Sequence, residues 1–196
     1  YIMRGDAAEE WQPAFSYKAF RYVEVTGYPL PIAPEDLVVC DAHTGIVPAG
    51  SFRCSDEHLN ALYDACIRTQ LNNVLGQVVD CPHREQAQYL ADTDLQGETL
   101  LYNFDAVSVI EKTLDDFADM QLDDGSFPFV APINFRGEFD LQIPEWDLHY
   151  ATLLWKAYEV AGDPAVLAAR YGTLCRMVRH FLAVRDAATG LVPLHK

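Results

Sequence analysis

The sequence predicts a mainly α fold preceded by a short β-rich stretch, and three observations carry that prediction. Apolar and polar residues alternate through Phe15–Val25, the period-two signature of a half-buried strand. From Ser55 onward apolar residues recur at three- and four-residue intervals, the period of a helix with one buried face. Gly162-Asp163-Pro164 then divides two long helical runs with a stop, a cap and a start. With 50% apolar residues, the 196-residue chain is too hydrophobic for disorder and can build a core.

In chain order, the alternating stretch is rich in aromatic and β-branched residues, and Gly27, Pro29, Pro31 and Pro34 punctuate the chain after it. A second short strand is expected at Leu37–Cys40. Two strands are too few for a sheet, so residues 1–50 read as the end of a β-sandwich and residues 51–196 as a helical domain. Ser55 is the expected N-cap of the first helix, whose stripe is Leu59, Leu62, Tyr63, Cys66, Ile67 and Val74. A second helix is expected after Pro82. A third carries Val107, Ile110, Leu114 and Phe117, and Asp123–Pro128 makes the turn after it. A fourth carries Leu148, Ala151, Trp155 and Tyr158, with Trp155 read as core. A fifth carries Leu167, Tyr171, Leu174, Val178 and Phe181, antiparallel to the fourth. Both ends read as cut, Tyr1 in mid-strand and Lys196 just after an apolar segment.

Composition excludes some functions. A formal charge of −15, with only 14 basic residues and no Lys/Arg cluster, argues against a nucleic-acid binder, which needs cations to displace counterions. No apolar run approaches the roughly 20 residues of a membrane span. The five cysteines (Cys40, Cys54, Cys66, Cys81, Cys175) show no metal-ligand spacing and read as reduced thiols, mostly buried, from a reducing compartment.

The densest polar constellation is Val79-Asp80-Cys81-Pro82-His83-Arg84-Glu85-Gln86-Ala87-Gln88-Tyr89-Leu90-Ala91-Asp92. If a helix follows Pro82, then Glu85, Gln88, Tyr89 and Asp92 share one face, with Asp80 just ahead of its N-terminus. Carboxyls gathered in one pocket raise each other's proton affinity, which suits a general acid. Spacing alone is met at least as well by Asp80 and Glu85 capping a helix and Asp92 in solvent. A metal at Asp80, His83 and Glu85 is disfavoured, since those ligand directions diverge and no second His supports them.

Asp-Cys-Pro-x-Arg-Glu followed seven residues after the Glu by Asp resembles the signature of the bacterial α-L-rhamnosidases, glycoside hydrolase family 78. Phe20–Gly27, Gly50–Asp56 with Leu59-Asn60, Gln121 with Asp124-Gly125, Pro144-Glu145-Trp146 and Ala161-Gly162-Asp163 resemble further family segments in the same order. The resemblance implies the N-terminal part of an (α/α)6 toroid after a truncated β-sandwich. It implies an inverting hydrolase that releases terminal α-L-rhamnose from rhamnose-containing carbohydrates without a metal or organic cofactor. Carried over, Glu85 is the general acid, Asp80 and Asp92 hold sugar hydroxyls and tune it, and Arg84 orients sugar or carboxylate. Tyr89, where the family usually has Trp, and Trp146 form the walls of the sugar site; without the resemblance Trp146 reads as core. His83, Ala91 and Gln86-Ala87-Gln88 depart from the family pattern and leave the sugar preference open. Glu145 is a weak candidate for a second carboxyl, and His149 reads as structural.

Inversion needs a second carboxyl as base, and in the family that base is a Glu well downstream. The isolated chain is therefore expected to be catalytically silent, and to form a homodimer through uncovered helix faces. A cytoplasmic location in a bacterium is expected. The rivals are another sugar hydrolase on the same toroid and a noncatalytic carbohydrate-binding or structural module.

Overall fold

The computed structural model describes residues 1–5, 8–28, 31–133 and 143–193. Pro29 and Lys196, singled out in the sequence, lie outside them. The chain divides into two compact units, Tyr1–Ala42 and His43–Lys196.

In the first unit no described side chain is buried, and the only regular piece among its described residues is the single 3-10 turn Pro34–Asp36, where the Ala33 N–H donates to Asp36 Oδ2 at 2.8 Å. Neither expected strand forms. A strand exists only through a hydrogen-bonded neighbour, and no described residue of this unit pairs with Phe15–Val25 or Leu37–Cys40. Phe15 also takes the left-handed backbone conformation, φ 56°, which interrupts a strand at its first residue.

Among its described residues the second unit has five helices: α1 (Glu57–Asn72), α2 (Leu90–Asn103), α3 (Val107–Asp119), α4 (Pro144–Ala161) and α5 (Pro164–Val184). Two short strands, β1 (Val47–Pro48) and β2 (Phe104–Asp105), pair antiparallel with Val47 opposite Asp105. Helix α4 packs against α2, α3 and α5, and α1 against α2. The core between them holds Leu100, Ile110, Leu114, Phe117, Phe127, Tyr150 and Leu153, all fully buried. Phe127 stacks on Tyr150 with ring centroids 5.0 Å apart and meets Phe117 edge-on. Gly97 sets the approach of α2 to α4, since a β-carbon there would stand 3.1 Å from Leu153 Cδ1.

The caps follow the sequence closely. Asp163 accepts the Ala165 N–H at 2.8 Å, Pro164 occupies the first helical position, and Gly162 ends α4 in the left-handed region at φ 66°. Helix α1 is capped one residue later than expected, by Asp56 rather than Ser55; its carboxylate accepts from the N–H of His58 at 2.8 Å and of Leu59 at 3.4 Å.

The buried faces differ more. On α4 the buried residues are Asp147, Tyr150, Leu153, Leu154 and Ala157, whereas Leu148 and Trp155 are each 52% exposed, so Trp155 is not core. Helix α4 is apolar on more than one side, and its three neighbours choose the face. On α5 the buried stripe is Val166, Arg170, Thr173, Met177 and His180, with Tyr171 and Val178 outside. Arg170 is drawn in by α3: its guanidinium meets both oxygens of Asp115 at 2.8 Å and Glu111 Oε1 at 3.0 Å. On α1, Leu59 and Leu62 face solvent while Asn60 and Gln70 are buried. The cysteines are not mostly buried either: Cys40, Cys54 and Cys66 are exposed, and Cys81 and Cys175 half-buried, because α1 turns Cys66 outward with Leu62. No described helix is long and apolar enough to cross a membrane.

Candidate active site

The segment 80–89 is a closed loop, not the expected helix. Pro82–Glu85 makes one turn, Gln86 then adopts φ 53°, and the chain folds back. The Gln86 N–H reaches Cys81 O at 3.3 Å, the Asp80 N–H reaches Ala87 O at 3.2 Å, and the Ala87 N–H reaches Asp80 Oδ1 at 3.3 Å. A helix continuing from Pro82 is impossible once Gln86 takes the left-handed conformation. The helix starts only at Leu90.

Gln88 anchors the loop. It is 1% exposed, donates to Ala131 O at 2.7 Å and Asp116 Oδ2 at 2.9 Å, and accepts from Thr113 Oγ1 at 3.0 Å. The expected common face for Gln88, Glu85, Tyr89 and Asp92 is therefore broken: Gln88 points into the core and its neighbour Tyr89 away from it. Tyr89 forms a bridge with Val130, and its ring lies 5.8 Å from that of Phe129. The following helix brings Asp92 into its first turn. Across from it, Ile143 precedes α4 and Trp146 sits in that helix's first turn.

Together Asp80, Glu85, Tyr89, Asp92, Ile143 and Trp146 line a hollow of about 240 Å³ at the N-terminal ends of α2 and α4. Of the six residues given site roles by the family resemblance, only Arg84 is not in the lining; its side chain is 80% exposed and pairs with Glu85. Glu145 and His83 are exposed and outside the hollow. Among the described residues no three His, Cys, Asp or Glu side chains gather as a metal site. Sequence reasoning missed Ile143 and the anchoring role of Gln88. Neither is marked in the sequence; only the folded loop turns Gln88 inward and Tyr89 toward the hollow.

The Tyr89 hydroxyl donates to Glu85 Oε2 at 3.0 Å. Burial, then that bond to a carboxylate, pushes the phenol up to about 12, so it stays a donor at any physiological pH. Burial also raises the Asp92 carboxyl above the usual carboxylate range, and the charges of Asp80 and Glu85 add to the rise. The backbone N–H of Asp92 itself and the Trp146 indole oppose it, the indole N–H being buried but beyond strict hydrogen-bonding geometry. A hollow with three carboxyls, a locked phenol donor and an indole wall can bind a polyhydroxylated ring and supply a proton.

Helices α2 and α4 thus turn their N-terminal ends, and the acid loop turns its carboxyls, toward one hollow. Residues 48–191 match the bacterial α-L-rhamnosidase 6 hairpin glycosidase domain, and residues 1–43 match the bacterial α-L-rhamnosidase concanavalin-like domain. The chain belongs to the bacterial α-L-rhamnosidase family. An α-L-rhamnosidase of Formosa agariphila is 29% identical over 93% of this chain. The α-L-rhamnosidase structure from Dictyoglumus thermophilum superposes with a TM-score of 0.69, at 30% identity over 79% of the chain and 17% of its own length. That of Streptomyces avermitilis, solved with L-rhamnose, gives 0.68 at 26% identity, over 74% of this chain and 14% of its own. The chain spans about a fifth of the Formosa relative's length. The fold class expected from the sequence, mainly α and of the six-hairpin glycosidase type, stands.

Proposed function

We propose that this chain carries the acid side of an inverting glycosidase site that releases terminal α-L-rhamnose. The observation that carries the reading is the single hollow shared by Asp80, Glu85 and Asp92 with Tyr89 and Trp146. Its volume lies below the ~300–1,000 Å³ of drug-sized sites and suits one sugar ring. The relative solved with L-rhamnose supports that ring's identity.

In this reading Glu85, the most exposed of the three acids, protonates the departing glycosidic oxygen. Tyr89 holds its carboxyl in place through the 3.0 Å hydrogen bond, and Arg84 leaves its pairing with Glu85 to orient sugar or carboxylate. Asp80 and Asp92 accept from ring hydroxyls, and the Tyr89 and Trp146 rings cover the sugar's apolar faces. Inversion further needs a carboxylate to activate water on the opposite face, roughly 6.5–9.5 Å from the acid. The wall across the hollow, described as Ile143 and Trp146, carries no carboxyl to serve as that base, so this polypeptide by itself is expected to bind sugar without hydrolysing it.

The test is Glu85→Gln in the full gene product, assayed on p-nitrophenyl α-L-rhamnoside beside other p-nitrophenyl sugars. Turnover should fall about 10²–10⁴-fold with the rhamnoside as best substrate. Unchanged hydrolysis removes Glu85 from its role, and a different best sugar removes rhamnose. Self-association through the apolar groove between α2 and α4, lined by Leu101, Tyr102, Trp155 and Val160, is part of the same proposal. Sedimentation showing only monomer at rising concentration rejects it.

A further inference from the structure

Two residues beyond Asp92, the same helix buries a second carboxylate. Asp94 is 3% exposed, and three α4 side chains spaced as one helical face, at positions 149, 152 and 156, converge on it. Its Oδ2 accepts from His149 Nδ1 at 2.7 Å and Thr152 Oγ1 at 2.6 Å; Lys156 Nζ lies 2.8 Å from Oδ1 and donates to the Asp94 backbone carbonyl at 2.9 Å. Burial alone would raise the Asp94 carboxyl. The bonds from His149, Lys156 and Thr152 outweigh it and hold the group below the usual carboxylate range, so it stays an anion.

An anionic carboxylate can only accept, so the proton between them belongs to Nδ1 of His149, and the tautomer and ring orientation of the imidazole are set. His149 stands one turn after Trp146, and the two rings meet edge to face with centroids 6.5 Å apart. Trp146 is the residue of α4 that walls the hollow opposite Asp92. A chain of contacts thus runs from a buried α2 carboxylate, through an α4 imidazole, to the indole of the hollow.

We propose that Asp94 and His149 are positioning residues: the carboxylate fixes the imidazole, and the imidazole holds the Trp146 indole against Asp92. The pair works as a second layer beneath the hollow and touches no sugar. It rests on the glycosidase reading for what the hollow binds, but not for the coupling itself. The groups that line the hollow with Asp92 are Asp80, Glu85, Tyr89 and Trp146. Of these side chains the indole opposes the rise in the Asp92 carboxyl, beside the backbone N–H of Asp92 itself, so movement of the indole alters that balance.

The test uses this polypeptide without sugar. The indole N–H resonance of Trp146, identified by its loss in Trp146→Phe, is followed in Asp94→Asn and His149→Phe, and the titration of the Asp92 carboxyl in His149→Phe. The indole resonance should shift in both variants, and the Asp92 midpoint should rise by about half a pH unit or more in His149→Phe. The double variant should move the resonance no further than the larger single change, as expected of two members of one chain of contacts. If Asp94→Asn does not fold, His149→Phe carries the test alone, because that side chain is already 29% exposed and tolerates replacement. An unmoved resonance and midpoint in folded His149→Phe overturns the proposal, even with a lowered melting temperature, since that pattern means an interhelix clamp and nothing more. L-rhamnose is titrated separately into the wild-type chain. Failure to bind it counts against the glycosidase reading and leaves the sugar-free coupling result as it stands.

Discussion

The two units of this chain differ in what they do with their apolar residues. Residues 1–42 hold Trp11, Phe20, Tyr22, Val23, Val38 and Val39, all more than half exposed, and no described side chain there is buried. Residues 43–193 bury Leu100, Ile110, Leu114, Phe117, Phe127 and Tyr150 completely. The lesson is that apolar content and alternation do not make a core. A helix satisfies its own backbone and needs only a second helix to cover its stripe, whereas a strand leaves its N–H and C=O groups unpaired until another strand lies beside it. Helices α2 to α5 find each other within the chain. The alternating stretch finds no partner among the described residues.

Three substitutions can break or sharpen that contrast. The largest expected effect is in the helical unit. Phe117→Ala removes a fully buried ring of α3 that meets Phe127 edge-on, and should cost about 3–5 kcal/mol in denaturant unfolding. A cost under 1 kcal/mol would mean that the core is loosely packed.

The second concerns a charge that only a core can perturb. Asp147 is 3% exposed and accepts the Phe127 N–H at 3.0 Å; burial, with a smaller contribution from Asp124, pushes its carboxyl up to about 7. Its folded pKa thus lies above the unfolded value near 3.8, so its contribution to stability is fully present below pH 4. That contribution is lost as pH rises to about 7, with a slope of up to about 1.4 kcal/mol per pH unit. Asp147→Asn should flatten that slope in melting curves taken across the same range while keeping the acceptor for Phe127. An identical pH profile in the variant removes Asp147 as its source.

The smallest effect is expected in the first unit. Tyr22 is 82% exposed, and Tyr22→Ser should change unfolding free energy by no more than about 0.5 kcal/mol. A larger loss would reveal a packed β-layer that the described contacts do not contain.

Much of the helical unit was legible in the residues. The Gly162-Asp163-Pro164 junction and the Ile110, Leu114 and Phe117 stripe appear where local chemistry and period placed them. The acid hollow was legible only in part. Asp80, Glu85, Tyr89, Asp92 and Trp146 all reach it, but by a folded-back loop and the start of α4, not along one helical stripe. The left-handed turn at Gln86 carries no Gly or Asn to announce it. Ile143, more than fifty residues from Asp92, has no sequence signal linking it to the hollow at all.

Local sequence therefore determined the parts whose causes are near neighbours: caps, stops, helical periods and the acidic composition of the 80–92 segment. Tertiary structure alone decided which side of α4 and α5 is buried, why Arg170 and Asp94 lie inside, and how far Trp146 stands from the three acids. A helix that is apolar on more than one side offers more than one face to bury, and a buried charge is tolerated only where a distant partner meets it. Both choices are made by residues tens of positions away, through contacts that exist only once the chain has folded.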